Sequence, residues 1–338
     1  MTWLNTGFGA ANLNYSWSFI PNSNNGYQII NDYAGEYYLG YDSPSDRVLI
    51  VEATDSRRIN FWNISPSIQS VNLRIPNYYP LDLLSTPART TLRGAYSVKR
   101  LSINYTGPMV KIRRSTDNVI QDFYADQYGN LGTSNNNTGT PYLSWIGAGT
   151  GYVDTWYDQS GSNNHATQST TSIQPVLQPI GYCIDFLNTS TVFMNIPSGT
   201  VPVGALNLQY TFVVKHGKVN NIYGGLIGSG LNTTNQANNL RWHNGSYLNW
   251  WYSNDYSITG SLNRGNVVSV RYNGVNRAGW VNNSATAPAN SSGYTNAAGP
   301  QYLGKCIQDQ YLNGEIHNVF IFGLGISDSD RNICEEII

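Results

Sequence analysis

Short runs of β-branched and aromatic residues recur from position 152 to the C-terminus, each bounded by Asn, Gly or Pro. Runs of this length and composition predict β-strands, and the bounding residues predict turns. The clearest runs are GYCIDFL, TVFMNI, YTFVVKH, GGLIGSG, LRWHNGSYLNWWYS, VVSVRYNG, RAGWVNN and GEIHNVFIFG. About ten strands separated by tight turns favour an all-β sandwich or jelly roll over any helical or α/β architecture.

The charge balance narrows the classes of partner. Lys plus Arg number 19 and Asp plus Glu number 20, so the net charge is -1, and charged residues make up only 12% of the chain. A nucleic-acid-binding protein needs a basic face to displace counterions from phosphates, so no nucleic-acid partner is expected. No run approaches the roughly 20 apolar residues of a membrane helix, so no membrane insertion is expected either.

Cysteine and histidine spacing bounds the redox compartment and metal chemistry. The chain has three cysteines and four histidines, all widely spaced and without a CxxC motif: Cys183, Cys306, Cys334, His165, His216, His243 and His317. This spacing predicts neither a disulfide framework nor a metal site, and favours three buried thiols. The start, MTWLNTGFGA, lacks the basic and apolar regions of a secretory signal, so we expect folding in a reducing cytoplasm.

The first 87 residues predict a small β-rich module. Five short strands punctuated by turn residues are expected at Tyr15–Ile20, Tyr27–Ile30, Tyr37–Tyr41, Val48–Val51 and Arg58–Trp62. The stretch WSFIPNSNNGYQIINDYAGEYYLGYD, followed by INFWNI, resembles one lobe of a ricin-type β-trefoil. Three prolines in PNYYPLDLLSTPA predict a linker or the entry to the next domain, and we place the domains at residues 1–87 and 88–338.

From Arg89 the sequence pattern changes, and short helices are expected beside a strand. LRGAYSVKRLS is compatible with a short helix. MVKIRRSTDNVIQDFYAD alternates as a strand, and PYLSWIGAGTGYV predicts a second short helix that ends at its glycines. The chain closes with ISDSDRNICEEII, which predicts a terminal helix. Ser327 is the expected N-cap of that helix, and Asp328 and Asp330 suit its first turn.

Two stretches carry a resemblance to a known family. Ala95–Asn118 (AYSVKRLSINYTGPMVKIRRSTDN) and Tyr152–Gln168 (YVDTWYDQSGSNNHATQ) resemble the opening of the catalytic domain of α-L-arabinofuranosidase B. The same pair is similar to segments of phage and large-virus surface proteins with the concanavalin A-like lectin/glucanase fold. LNGEIHNVFIFGLGISDSDR resembles the end of LamG-type members of that superfamily. The resemblance implies a concanavalin A-like jelly roll over residues 88–338.

The resemblance does not extend to the catalytic acid. In the arabinofuranosidases the nucleophile is a Glu on a central strand, but the nearest stretch here, KHGKVNNIYGGLIGSGLNTTNQ, has no acidic residue. The glucanase signature E-x-D-x-x-E and the G-x-S-x-G elbow are also missing from the chain. Hydrolysis by the family mechanism is therefore not expected. The alternative is a diverged hydrolase that pairs Asp158 or Asp185 with Asp255 across a groove.

A dense polar turn follows the strongest motif of the resemblance. Its short polar side chains can hydrogen-bond their own backbone, which favours a self-satisfied structural loop over a rim that contacts sugar or calcium. The residues concerned are Asp158, Gln159, Ser160, Asn163 and Asn164. Calcium binding is expected to be weak at best, since a single carboxylate supplies too little negative charge, and no other cofactor or metal is expected.

The stretch RWHNGSYLNWWYSNDY concentrates aromatic and amide side chains. Rings that stack on a sugar and amides that bond its hydroxyls are the chemistry of carbohydrate recognition. The NGS turn predicts a hairpin, and alternation places Trp250 and Tyr252 on one face and Trp251 on the other. At least one Trp is then expected outside the core, unless all these rings pack inside the sandwich or under the first domain. The candidate carbohydrate-binding residues are Trp242, His243, Asn244, Tyr247, Trp250, Trp251 and Tyr252.

Together these features predict a non-catalytic module that recognises a carbohydrate or a cell surface. The resemblance to viral surface proteins implies a virion surface, fibre or minor capsid component. Its expected partners are a glycan or host-surface polysaccharide and other virion proteins, with a homo-oligomer as a further expectation. A purely structural virion protein, whose lectin fold makes only protein contacts, is the first alternative.

Overall fold

A computed structural model describes two compact units, Met1–Ile75 and Pro76–Ile338. In the first unit it describes the backbone of residues 17–21, 27–31, 37–42 and 47–52. In the second it describes residues 79–135, 138–179, 182–186, 191–204, 208–219 (without the side chain at 218), 222–259, 266–291 and 294–336.

The described residues of the first unit form two antiparallel strand pairs. Strands β1 (Trp17–Pro21) and β2 (Tyr27–Asn31) form one pair, and β3 (Tyr37–Asp42) and β4 (Arg47–Glu52) form the other. These four strands lie within two residues of the bounds expected from turn spacing. The fifth expected strand, Arg58–Trp62, and the chain between the pairs lie outside the described residues, as does the INFWNI part of the trefoil-like stretch.

The second unit is built almost entirely from short strands. In chain order they are β5 (Leu92–Ser97), β6 (Val110–Arg114), β7 (Ile120–Phe123), β8 (Thr133–Asn135), β9 (Thr138–Pro141), β10 (Gly151–Trp156), β11 (Ala166–Thr167), β12 (Val176–Gln178), β13 (Cys183–Phe186), β14 (Met194–Ile196), β15 (Tyr210–Val219), β16 (Tyr223–Ser229), β17 (Asn239–His243), β18 (Ser246–Trp250), β19 (Asp255–Ile258), β20 (Asn266–Tyr272), β21 (Asn276–Val281), β22 (Ser284–Asn290), β23 (Gln301–Leu303), β24 (Lys305–Cys306), β25 (Gln310–Tyr311) and β26 (Gly314–Phe322). Its helices are α1 (Pro80–Leu83), α2 (Thr86–Thr91), α3 (Tyr142–Ile146) and α4 (Asp328–Glu335).

Antiparallel pairing arranges these strands in two layers. The back sheet runs β7-β6-β10-β12-β13-β26-β15-β20-β21-β22, with β5 also paired to β26. The front sheet runs β11-β14-β23-β16-β17-β18-β19, and β10 pairs with β11 where the two layers join. This arrangement confirms the all-β sandwich that the strand pattern and the resemblance implied.

The core fills the space between the two layers. Its buried rings include Tyr96, Trp156, Phe212, Tyr247 and Trp251, which come from both sheets. Polar bonds also cross this space: the Trp251 indole N–H donates to the Tyr210 hydroxyl at 3.0 Å, and that hydroxyl lies 2.6 Å from the Asn249 side-chain oxygen. Such bonds satisfy polar groups that would otherwise be buried at a cost.

A second cluster covers part of the outer face of the back sheet. Leu81, Leu84 and Ala88, from the α1–α2 region, pack with Phe320, Phe322 and Cys334. Of the two interpretations of this stretch, the structure favours the entry to the next domain, because Leu81 and Leu84 are buried where α1 and α2 form part of this cover. None of the helices within the described residues is long and apolar enough to cross a lipid bilayer.

The structure confirms some of the other local predictions and contradicts one. LRGAYSVKRLS is wrong as a helix because β5 occupies it, whereas α3 and α4 confirm the two other expected helices. Ser327 caps α4 by accepting from the Asp330 amide, as expected. Cys183, Cys306 and Cys334 are all free and buried, which confirms the prediction of buried thiols.

A short segment lies over the outer face of the front sheet. Residues 304–311, here called the covering segment, contain β24 and β25. The segment approaches so closely that a Cβ on Gly225 would lie 2.2 Å from the Cys306 amide nitrogen, and one on Gly228 would lie 2.4 Å from the Lys305 carbonyl oxygen. Glycines in β16 therefore allow the segment to pack on the sheet.

Candidate functional site

The aromatic stretch folds as the predicted hairpin. Strands β17 and β18 pair in register from Asn239 opposite Trp250 to His243 opposite Ser246. The two turn residues, Asn244 and Gly245, have φ of 42° and 94°. Positive φ at both positions is the requirement of a two-residue hairpin turn, and Asn-Gly meets it at little cost.

The faces of the hairpin follow the predicted alternation. Trp250 packs on the outer side with Cys306 and Ile307 of the covering segment, and its ring stacks with Tyr252 at 5.5 Å between centroids. Trp251 points to the opposite side, where it stacks with Tyr294 at 4.1 Å in the main core.

The expectation of an exposed Trp is wrong. Trp242 is 5% exposed, Trp250 6% and Trp251 0%, and Tyr247 is also 0% exposed. The reason is that both faces of the hairpin are covered, the inner face by the back sheet and the outer face by the covering segment. These four rings stabilise the fold, since a buried ring face cannot stack on a sugar.

The accessible aromatic surface lies at the end of the same strands. Tyr223 begins β16 directly opposite His243 of β17, and their rings stack at 5.0 Å with 23° between their planes. Tyr223 is 46% exposed and His243 is half-buried. Of the sequence-predicted residues, His243 and Asn244 remain reachable from solvent here, and Tyr252 remains reachable at the other end of the hairpin, beyond β18.

Arg241 is a buried cation beside this ring pair. It is 7% exposed, its guanidinium lies 4.1 Å from the Trp250 ring centroid, and one N–H donates to the side-chain oxygen of Gln310. Burial lowers the pKa of Arg241, although Asp255 and the Cys306 thiol oppose that shift. No carboxylate of the described residues forms an ion pair with it, so ring faces and an amide hold this charge.

Lys305 anchors the covering segment through an aromatic cage. Its ammonium lies 4.7 Å from the Phe193 ring centroid, 4.6 Å from that of Tyr302 and 5.0 Å from that of Tyr311, and it pairs with Asp309 at 2.7 Å. Burial by itself would lower the pKa of Lys305, but the bond to Asp309 and the neighbouring tyrosines raise it. The charge therefore stays in place and fixes the segment on the sheet.

Amide side chains are spread along the hairpin, from its turn to its open end. Gln308 is exposed and donates to the Tyr252 hydroxyl at 3.1 Å, Gln310 meets Arg241, and Asn244 is exposed at the hairpin turn. We call Tyr223, His243, Asn244, Tyr252, Gln308 and Gln310 the front-face cluster. Sequence reasoning missed Tyr223, Gln308 and Gln310, because only strand pairing and the covering segment bring them to the hairpin.

The polar turn after β10 is satisfied from within. The Asp158 carboxylate is 2% exposed and accepts from the amides of Ala95, Ser160 and Asn164 and from the Ser160 hydroxyl. Gln159 bonds the backbone of Ser97, Lys99 and Leu101, and Asn163 adopts a left-handed φ of 57°. This geometry favours the structural interpretation of the loop, since Asp158 has its oxygens occupied and is unavailable to a cation or substrate.

The structure does not bring the predicted acid pairs together. Asp255 lies on β19 in the front sheet and Asp185 on β13 in the back sheet, while the Asp158 oxygens accept from the surrounding loop. The structure therefore does not support the hydrolase alternative that pairs Asp158 or Asp185 with Asp255. Asp185 instead lies directly opposite Glu315 of β26. Burial raises the pKa of both carboxyls, and the charge of Asp185 raises that of Glu315 further.

Comparison with solved structures identifies the fold. A mutant GH54 α-L-arabinofuranosidase soaked with 4-nitrophenyl α-L-arabinofuranoside matches over 73% of this chain at a TM-score of 0.58 and 14% identity. An arabinofuranosidase complexed with arabinofuranosyl-α-1,2-xylobiose matches over 72% at a TM-score of 0.56 and 14% identity. The chain shares their β-sandwich fold. It spans 62% and 61% of those two chains, less than two thirds of their length.

Sequence comparison adds no closer relative. No protein-family profile matches this chain, and no curated protein sequence matches it. At 14% identity the likeness to the arabinofuranosidases defines the fold, while activity has to be argued from the side chains.

Proposed function

We propose that this chain binds a carbohydrate, without cleaving it, at the front-face cluster. The observation that carries this proposal is the stacked Tyr223–His243 ring pair, in which Tyr223 is exposed and His243 is half-buried, next to the exposed amide of Asn244 in the hairpin turn. An aromatic face packs against the apolar face of a sugar ring, and amides donate to and accept from its hydroxyls. The arabinofuranosidase of the same fold, solved with arabinofuranosyl-α-1,2-xylobiose, is supporting context.

We also propose that the protein is a component of a virus particle. A virion surface, fibre or minor capsid component accounts for the resemblance of the Tyr152–Gln168 motif to viral surface proteins. Three free buried thiols suit a chain folded in a reducing cytoplasm and later built into a particle. Its partners would be a host-surface polysaccharide and other virion proteins, with self-association a further expectation.

Affinity electrophoresis tests the binding proposal. The full chain is run through native gels cast with arabinan, xylan and other polysaccharides, beside Tyr223→Ala and His243→Ala. Tyr128→Ala is the matched control, because Tyr128 is 60% exposed and lies on another loop. We expect at least one gel to retard the wild type and the control but not the two variants. Equal retardation of all four proteins would overturn the site.

A diverged hydrolase is the second candidate, because Asp185 and Glu315 directly oppose each other on neighbouring strands. Opposed residues have Cβ atoms about 4.5–5.5 Å apart, and retaining glycosidases hold their carboxyls about 5–5.5 Å apart. Staining the same gels for hydrolysis decides between the candidates. Clearing by the wild type that Glu315→Gln abolishes would establish the hydrolase, and retardation without clearing would support binding alone.

The purely structural alternative, in which the lectin fold makes only protein contacts, predicts a different experimental result. This alternative predicts that the aromatic cluster lies at a subunit interface, but Trp250 is buried within the chain by Arg241 and the covering segment. Trp250→Ala should therefore destabilise the fold itself by about 3–5 kcal/mol. A wild-type protein that no polysaccharide retards, yet that associates with other particle proteins, would favour this alternative.

A further inference from the structure

A mixed set of donor groups lies on the outer face of the back sheet, away from the front-face cluster. Cys183 and Asp185 alternate with the core residues Ile184 and Phe186 along β13, so both point to the outer side. Asp185 is directly opposite Glu315 on β26. The pairing of β15 with β26 shifts register between Lys215 and His216, and the bulge lies beside His317.

The donor atoms of three of these side chains already converge. The Cys183 sulfur, a Glu315 carboxylate oxygen and a His317 ring nitrogen all lie within 4.8 Å of one another, and His317 Nε2 is 3.9 Å from Glu315 Oε2. Tetrahedral zinc, with bonds of about 2.0–2.3 Å, holds its ligand atoms about 3.3–3.8 Å apart. Small side-chain rotations would therefore close the set around one ion.

Two further observations point into this cluster. Cys183 is 1% exposed, and its thiol has no hydrogen-bond partner among the described residues. A Cβ on Gly217 would lie 2.2 Å from Glu315 Oε2, so the glycine in β15 leaves the space that the carboxylate occupies. The side chains of Glu315 and His317 are 39% and 21% exposed, which leaves an ion a path from solvent.

We propose that Cys183, Glu315 and His317 bind a divalent transition-metal ion of the zinc type. The adjacent Asp185 would supply a fourth ligand through a carboxylate oxygen. Thiolate and imidazole ligands select zinc-like ions over calcium and magnesium, which prefer all-oxygen sites. This site is separate from the front-face cluster, and it shares Asp185 and Glu315 with the hydrolase candidate. Spacing along the chain did not reveal it, because its ligands come from strands far apart in sequence.

Cobalt(II) titration tests the proposal, since a thiolate–cobalt bond gives a near-ultraviolet charge-transfer band and tetrahedral cobalt absorbs in the visible. The full chain is reduced, stripped with a chelator, freed of it, and titrated with Co²⁺ and then Zn²⁺. We expect saturation at one ion per chain and displacement of Co²⁺ by Zn²⁺. Cys183→Ser should lose the charge-transfer band, and His317→Gln should bind at least about tenfold more weakly, since removing even an outer hydrogen-bond partner costs that much.

Matched controls separate the site from adventitious binding. Cys334→Ser removes a different buried thiol and Glu336→Gln an exposed carboxylate, and both should titrate like the wild type. Circular dichroism of each variant establishes that it is folded before titration. The absence of a charge-transfer band in the wild type, or an unchanged band in folded Cys183→Ser, would overturn the proposal. Glycan retardation is expected to be the same in Cys183→Ser as in the wild type.

Discussion

His216 shows how a single side chain is fixed by the sandwich. It is completely buried, its Nδ1 lies 2.8 Å from the Gly217 carbonyl oxygen, and its Nε2 lies 2.8 Å from the Tyr247 hydroxyl. Because a carbonyl only accepts, Nδ1 carries the proton and Nε2 accepts from Tyr247. The neutral ring thus links β15 of the back sheet to β18 of the front sheet.

Acid should weaken this link. Burial lowers the pKa of His216 to about 4, although the bond to Gly217 opposes the shift. The unfolded chain, with an ordinary histidine pKa near 6.5, binds the proton first, so stability is complete above about pH 6.5 and falls as the pH drops towards 4. We expect His216 to account for a loss of about 3 kcal/mol over that window.

Urea unfolding at pH 7 and pH 4, with chelator present, measures this loss. His216→Gln should be less stable at pH 7 but should lose less stability on acidification than the wild type. His243→Gln is the control, since His243 is half-buried and should leave most of the acid loss in place. An equal loss in His216→Gln and the wild type would contradict the prediction.

Asp158 should matter for stability and not for ligand binding. Asp158→Ala leaves the amides of Ala95, Ser160 and Asn164 without their acceptor, which should cost about 3 kcal/mol or more. Thermal melting measures the cost. Ser162→Ala, in the exposed part of the same loop, should change stability by less than about 1 kcal/mol. A calcium-dependent melting temperature in the wild type would instead favour a cation role for this loop.

At the scale of elements, β5 shows why the sequence of a strand can match the pattern expected of a helix. Ala95 packs under the helices on one side of the back sheet, while Tyr96 packs in the main core on the other. A strand buried on both faces loses the alternation of apolar and polar residues that distinguishes it from a helix. Helix α4 was predictable because its signals are local: a Ser N-cap and acids in the first turn.

The prolines of the α1–α2 region are the reason that its sequence predicts a linker or a domain entry. The structure places Pro80 and Pro87 at the first turns of α1 and α2, where a missing N–H costs nothing. Asp330 of α4 then joins the elements: its carboxylate accepts from the Ser85 amide at 2.7 Å, the Ser85 hydroxyl at 2.8 Å and the Ser327 hydroxyl at 2.6 Å.

Removing this shared acceptor should loosen both helices. Burial alone would raise the pKa of Asp330, but the bonds from Ser327 and Ser85 lower it. We expect Asp330→Asn to destabilise the chain by about 2–3 kcal/mol, because one of its oxygens becomes a donor that faces hydroxyls and an amide. Asp328→Asn, with 64% of that side chain exposed, should cost about 0.5 kcal/mol or less. Differential scanning calorimetry compares them, and equal costs would contradict this role.

At the scale of the whole molecule, the division into units has a testable consequence. The chain divides between Ile75 and Pro76. The sequence predicts the boundary after residue 87, which lies inside α2. A fragment of residues 88–338 lacks Leu81 and Leu84, which are 6% and 2% exposed, and the Ser85 contacts to Asp330.

We expect a fragment of residues 76–338 to unfold in one cooperative transition and to bind the same polysaccharide as the full chain. The 88–338 fragment should be less stable by several kcal/mol, since each buried leucine contributes about 1.5–3 kcal/mol. Urea denaturation of both fragments measures the difference. Equal stability would show that α1 and the start of α2 do not belong to the sandwich.

The sequence alone determined the fold class, the hairpin, the terminal helix and the burial of the thiols. Each of these depends on signals a few residues apart: strand-length apolar runs, an Asn-Gly turn, a serine cap. It also placed Trp250 and Trp251 on opposite faces, because side chains alternate along any strand.

Only the tertiary structure decided which faces are covered. Trp250 is buried because residues 304–311, distant in the chain, lie over it, and Tyr223 meets His243 because β16 pairs with β17. In the same way Cys183 meets Glu315 and His317 because β13 pairs with β26. Contacts of this kind depend on strand order and register, and no local pattern in the chain specifies either.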